Sequence, residues 1–194
     1  MCSAYLLKWV WGLGSPQRGS WERLLYVDAD AVVLEDIGPL FLRLGPDCPL
    51  LAAPDVFPPD RFNAGVLGVW LDPGSPGAVL EDMRAKFEVL GTYDGGDTGF
   101  LNHYFPDWYA RPREARLPFR YNAQRTLHWL THGKQPGYWE ACKPIAILHF
   151  SSSPKPWQVP DKKGELEMIW WQYFMQAQLG GTLGVDLTSA LAGF

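Results

Sequence analysis

The stretch Leu24-Leu25-Tyr26-Val27-Asp28-Ala29-Asp30 constrains the fold more than any other. Four apolar residues in a row read as a buried strand, and strands of that kind belong to α/β sheets covered by helices. Asp28 and Asp30 fall where the strand leaves the sheet, the end at which open α/β sheets collect ligands. Their carboxylates suit a hard or borderline divalent ion such as Mg²⁺ or Mn²⁺, which could in turn hold a diphosphate. An Asp-x-Asp pair alone is also an ordinary turn or helix cap, so its meaning comes from the rest of the chain.

Taken in order, residues 3–13 read as a helix with Leu6, Leu7, Val10 and Leu13 on one side, and Gly14 to Ser20 as a connection. After the acidic pair, Ala31 to Leu34 is a short apolar run and Asp36 to Phe41 a turn or short helix. Pro49 to Pro54 and Phe62 to Trp70 read as strands, and the glycines of the second imply that something approaches its backbone closely. The spacing of Val79, Leu80, Met83, Phe87 and Leu90 predicts a helix from Ser75 to Leu90, with Pro76 in its first turn and Gly91 at its end. A second helix is predicted from Thr98 to Phe105, with Asp97 as its cap. Leu117 to Asn122 reads as extended, and Ala146 to Phe150 as a strand carrying His149. A last helix is predicted from Lys162 to Gln178, burying Leu166, Ile169, Trp170, Tyr173 and Phe174. The domain reading is one unit over 1–160, with the helix and tail of 161–194 packed on it.

With 194 residues, 47% of them hydrophobic and ten tryptophans, the chain has enough apolar side chain for one well-packed domain. A net charge of -4 without a basic run argues against nucleic acid as a partner. The three cysteines, Cys2, Cys48 and Cys142, form neither a disulfide framework nor a Cys-x-x-Cys site. The apolar start, Met1 to Trp11, is too short to span a bilayer and lacks the pattern of a signal peptide.

Three signals recur where strands end: Asp28 with Asp30, His149, and Asp94 with Asp97. Two aspartates and an imidazole supply part of an octahedral Mn²⁺ shell, leaving room for phosphate oxygens and water. Lys155 lies six residues beyond His149, between Pro154 and Pro156, where an ammonium could neutralise the same phosphate. Singly, each has a plain structural explanation: a core histidine, a solvated loop lysine, turn and cap aspartates.

The blocks Tyr26-Val27-Asp28-Ala29-Asp30, Phe62-Asn63-Ala64-Gly65, Asp94-Gly95-Gly96-Asp97, Leu117-Pro118-Phe119-Arg120-Tyr121-Asn122 and His149-Phe150 with Lys155-Pro156-Trp157, in that order, resemble the glycogenins and their relatives. These are retaining glycosyltransferases of family 8 with the GT-A fold, a Rossmann-like mixed α/β sheet flanked by helices. The resemblance implies that Asp28, Asp30 and His149 ligate Mn²⁺, with Mg²⁺ as the substitute. It implies that Lys155 meets the diphosphate of a UDP-sugar, and that Asn63, Asp94, Asp97 and Asn122 line the sugar and acceptor site. It puts Asp97, Asp94 and Asn122 among the catalytic positions, and Lys155, Asn63, Ala29, Thr98, Gly96 and Ser152 among the substrate-binding ones. Asp97 is the first candidate for contact with the reacting carbon, either as a covalent nucleophile or as a stabiliser of the cation. The implied reaction moves a hexose, glucose foremost, from UDP to a carbohydrate or other hydroxyl acceptor.

The chain departs from that family in three ways. Only 27 residues precede Asp28, so the first βαβ units, which hold most of the uridine pocket, are expected to be missing. An exposed sheet edge and slow turnover by this chain alone are the expected consequences. Thr98 stands where many relatives carry a longer glutamine. The segment Ala123 to Leu130 has no tyrosine to serve as its own acceptor. A non-catalytic remnant that binds sugar or a protein partner is the alternative reading. A phosphohydrolase is the third, disfavoured because Ala31-Val32 follows Asp30. A cytoplasmic location is expected, or the Golgi lumen if an anchor lies upstream, and a homodimer is compatible with the sequence.

Overall fold

The computed structural model describes residues 21–75, 77–158 and 164–183, with the side chains of 180–183 left aside. The predicted helix over 3–13, its connection, and Pro76 lie outside the described residues. Two three-stranded sheets make the framework. The first contains β1 (Arg23–Val27), β3 (Leu50–Pro54) and β4 (Phe62–Trp70) in the order β1-β4-β3, all antiparallel. The second contains β2 (Ala31–Val33), β5 (Ala123–Gln124) and β6 (Ile147–His149) in the order β2-β6-β5, with β2 antiparallel and β5 parallel to β6.

Alternation along the strands explains why the first sheet is apolar on both faces. Leu24, Tyr26, Leu50 and Ala52 point into one core with Leu67 and Val69, roofed by α1 (Ala78–Leu90) and α2 (Asp97–Tyr104). Leu25, Leu51 and Ala53 point the other way, into a core closed by Leu40, Leu44 and Leu117. The second sheet packs Val32, Ala123, Leu148 and Phe150 against Trp139 and Leu166. Leu166 belongs to α5 (Glu165–Leu183), which follows α3 (Arg125–Thr131) and the short α4 (Gly137–Glu140).

Strand β4 has the bounds the sequence predicts, and the inference from its glycines holds. A Cβ on Gly68 would lie 3.0 Å from the Cβ of Leu51 and 3.3 Å from Leu25. Beyond its pairing with β1 and β3, the start of β4 is bonded by α2: Asn102 accepts from Phe62 N at 3.1 Å and donates to Phe62 O at 2.8 Å, and the Thr98 hydroxyl accepts from Ala64 N at 3.0 Å. Among the described residues β1 pairs on one side only, with β4.

Several predicted boundaries are corrected. Helix α1 starts at Ala78, because Gly77 takes a left-handed conformation (φ 86°) that no helix continues through. In α2 the cap position is Gly96, with extended backbone, and Asp97 is already the first helical residue. Residues 119–122 form a 3₁₀ turn and not an extended piece, because the preceding Pro118 fixes φ at -54° and starts the turn. Helix α5 begins at Glu165, and its side chains at Tyr173 and Phe174 are 39% and 38% exposed. Leu166, Ile169 and Trp170 reach the second sheet, and one turn later the helix has passed its edge.

Leu67, fully buried in the central strand, anchors the core under α1 and α2. Leu67→Ala is expected to cost about 2–5 kcal/mol of stability by urea unfolding, and Val89→Ala, on an exposed position of α1, less than about 0.5 kcal/mol.

Candidate metal and substrate site

The acidic pair lies where the chain leaves one sheet and enters the other. Asp28 N donates to Gly65 O at 2.8 Å, continuing the β1–β4 ladder by one residue. The chain then turns, and Phe150 N donates to Asp30 O at 2.8 Å as Ala31 comes opposite His149. Antiparallel register therefore sets Asp30 beside His149, although 119 positions separate them (149 − 30). His149 Nε2 stands 3.7 Å from Asp28 Oδ2 and 3.3 Å from Asp30 Oδ1. One donor atom from each of the three lies within 4.8 Å of the others.

The orientation of the imidazole follows from groups that can bond in only one sense. The amide of Gly65 can only donate, and it donates to Asn63 Oδ1 at 3.0 Å. That oxygen also accepts from Asn122 Nδ2 at 3.0 Å, with the Asn63 carbonyl 3.4 Å from the same nitrogen. Asn122 Oδ1 therefore faces His149 Nδ1 at 2.7 Å and must accept from it. With the proton on Nδ1, Nε2 presents its lone pair to the space beside Asp28 and Asp30, the tautomer a metal-binding histidine needs. The ring passes so close to β4 that a Cβ on Gly65 would sit 2.2 Å from His149 Cε1. Only glycine fits there.

The carboxylates differ in their surroundings. Asp28 is raised above the usual carboxylate range by burial, against the lowering effects of the Tyr26 hydroxyl, which donates to its Oδ1 at 2.5 Å, and of His149. For Asp30 burial also pushes upward, but hydrogen bonds and charge from His149 and Lys155 outweigh it and hold the group down at about 2. Lys155 Nζ donates to Asp30 Oδ2 at 2.5 Å and to Phe150 O at 2.6 Å. The donor set fits a divalent ion of the Mn²⁺ or Mg²⁺ class: two anionic oxygens, one neutral nitrogen with its proton on the far side, and a cation that such an ion or its phosphate would displace.

The other predicted positions divide. Asp97, in the first turn of α2, accepts from Thr98 N at 2.8 Å and is near enough that its charge acts on both Tyr26 and Asp28. Burial raises its own carboxyl. Asp94 is exposed, and its Oδ1 is spent on the turn, accepting from Thr92 Oγ1 at 2.7 Å, Gly96 N at 2.8 Å and Gly99 N at 3.0 Å. Thr98 turns its hydroxyl to Ala64, and Ala29 is exposed at the turn between the acids. Asn122 is fully buried behind the imidazole, so it orients His149 from there.

Arg125 is a residue the sequence reading passed over. It is 1% exposed. Nη1 donates to Glu167 Oε1 on α5 at 2.7 Å. Nη2 donates to Ser152 O at 3.0 Å, Ser152 Oγ at 3.2 Å and Pro154 O at 2.7 Å. Its guanidinium lies 3.9 Å from the ring centroid of Trp129. One buried cation thus ties α5 to the loop that carries Lys155, and engages Ser152 in doing so. The only available hint was an arginine two residues after Ala123, at the start of a helix otherwise read for its missing tyrosine.

No family model matches the chain. Glycogenin-1 of Caenorhabditis elegans is 36% identical over 137 residues, covering 71% of this chain and 29% of that protein. Inositol phosphorylceramide glucuronosyltransferase 1 of Arabidopsis thaliana is 30% identical over 155 residues, covering 71% and 26%. Among solved structures, the glycosyltransferase GlyE of Streptococcus pneumoniae TIGR4 superposes with a TM-score of 0.59 at 27% identity, over 86% of this chain and 42% of that one. The chain therefore spans between 26% and 42% of the length of these proteins.

Removing the guanidinium leaves Glu167 without its partner in a mostly buried place. Arg125→Met is expected to cost about 3–5 kcal/mol by urea unfolding, and Arg125→Met with Glu167→Met to recover part of that loss. In hydrogen exchange, the backbone amides of the 151–156 loop should lose protection in both variants.

Proposed function

We propose, on the premise that this chain is a glycogenin-like member of glycosyltransferase family 8 with the GT-A fold, that it transfers a hexose from a UDP-sugar to a hydroxyl acceptor with retention of anomeric configuration. The observation that carries this reading is the convergence of Asp28, Asp30 and a tautomer-fixed His149, with Lys155 alongside. These three would hold Mn²⁺, or Mg²⁺ in its place. When bound, the ion would supply charge neutralisation for the diphosphate. Glucose is the first candidate for the sugar, and a glucuronosyl donor the second, because one relative is named for glucuronosyl transfer.

The chain's own groups account for the rest of the chemistry. As the bond from the anomeric carbon to the diphosphate breaks, negative charge grows on the departing oxygen. Lys155 would meet it, a role supported by the reach of its ammonium to Asp30 Oδ2. The positive charge left on the sugar falls to Asp97, whose carboxylate lies in the first turn of α2 near Asp28. The acceptor hydroxyl forms its bond to that carbon on the face the diphosphate leaves, and passes its proton to the departing phosphate oxygen. Asn122 and Asn63 keep the imidazole aimed throughout. The β5–α3 segment over 123–131 carries no tyrosine to serve as its own acceptor, which supports a separate acceptor molecule.

UDP release from UDP-glucose tests the reading. Slow release is expected with Mn²⁺ and little with chelator. Lys155→Ala should reduce the rate about 10²–10³-fold, the size of loss seen when one group facing the developing charge is removed. Release that is insensitive to Lys155→Ala, or none above the chelator background, would overturn it.

A further inference from the structure

Helices α3 and α5 bring together a second set of metal-binding side chains, about which the reaction says nothing. His128 and His132 are four apart, on one face of α3 and its C-terminal cap. Their ring centroids are 4.4 Å apart, and His128 Nε2 is 2.8 Å from Glu165 Oε1 at the start of α5. Ligand atoms from all three lie within 4.8 Å of one another. We infer that His128, His132 and Glu165 form a second divalent-metal site, of the zinc class, that pins α3 to α5.

The donor set decides the class of ion. Two imidazoles four apart on a helix and one carboxylate from elsewhere make a three-ligand zinc arrangement, with a water to complete the tetrahedron. The strand-end site has the opposite balance, two carboxylates and one imidazole, which favours harder ions.

Preorganisation differs too. The His128 ring is 7% exposed and held edge-on against Trp139 at 5.3 Å between centroids. Its Nδ1 is buried without a hydrogen-bond partner. Glu165 can only accept, so Nε2 carries the ring proton in this contact; an ion that displaces the contact takes the Nε2 lone pair and leaves the proton on Nδ1. His132 and Glu165 are exposed, which gives the ion a direct way in.

The site's position gives it a consequence. Arg125 is one turn before His128 on α3, and Glu167 two residues after Glu165 on α5. The ion would therefore fasten the same two helices whose buried ion pair holds the Lys155 loop.

The test is zinc titration by calorimetry of the full chain carrying Asp28→Asn and Asp30→Asn, which disables the strand-end site. One zinc per chain is expected. Adding His132→Ala or Glu165→Gln, both at exposed positions and so compatible with folding, should weaken that binding at least about tenfold. The inference is overturned if the doubly substituted chain binds no zinc, or if neither added substitution changes the affinity. Neither result bears on the transfer reaction, which rests on the other site.

Discussion

The site depends on one hydrogen-bond relay, from the Gly65 amide through Asn63 and Asn122 to His149 Nδ1. Each link fixes the sense of the next, because a backbone amide at the start can only donate. The relay ends with Nε2, the nitrogen left for a metal, facing two carboxylates. Without it the ring proton could sit on Nε2 instead, and that tautomer leaves no lone pair for a metal beside the acids. Burial makes the relay strict: Asn122 is fully enclosed, so any unmet bond would go without water to replace it.

Around this relay, two sheets and two helices divide the work. The first sheet delivers Asp28 and the Gly65 gap, the second delivers Asp30 and His149, and the turn between them joins both sets. Lys155 belongs to neither sheet, and its loop would be mobile if held only by its prolines. Arg125 supplies the restraint by bonding to Ser152, Pro154 and Glu167 at once. The position of one ammonium beside the acidic pair is thus set by a side chain of α3, 30 positions earlier in the chain (155 − 125). The cost of burying a guanidinium is offset by four hydrogen bonds and two aromatic faces.

Much of this was readable in the sequence, for physical reasons. Strands such as Phe62 to Trp70 are long apolar runs buried on both faces, and their glycines announced close packing that Gly65 and Gly68 display. Asp28, Asp30 and His149 stand out together, because three ionisable groups at the ends of separate apolar runs share no one structural explanation. What was not readable depends on pairing across the chain. Asn122 looked like a lining residue, yet its side chain faces inward to His149 because the 3₁₀ turn and β5 set it beside β6. Arg125 carries no signal of its own in the sequence, and its burial depends on Glu167, 42 positions away. Asp94 looked chemical, and its bonded oxygen serves the turn of 92–99. Tyr173 and Phe174 kept the helical period of a buried face after the sheet beneath them had ended.

In the proposed site one cation would be shared by the two carboxylates and Nε2 of His149. Pulsed electron paramagnetic resonance of Mn²⁺ added to the full chain addresses it most directly, because a directly bound imidazole couples its nitrogen to the metal's unpaired spins. A single strong ¹⁴N coupling is predicted, lost in His149→Gln and kept in His128→Gln. Bound Mn²⁺ without nitrogen coupling, or a coupling that survives His149→Gln, would contradict the claim.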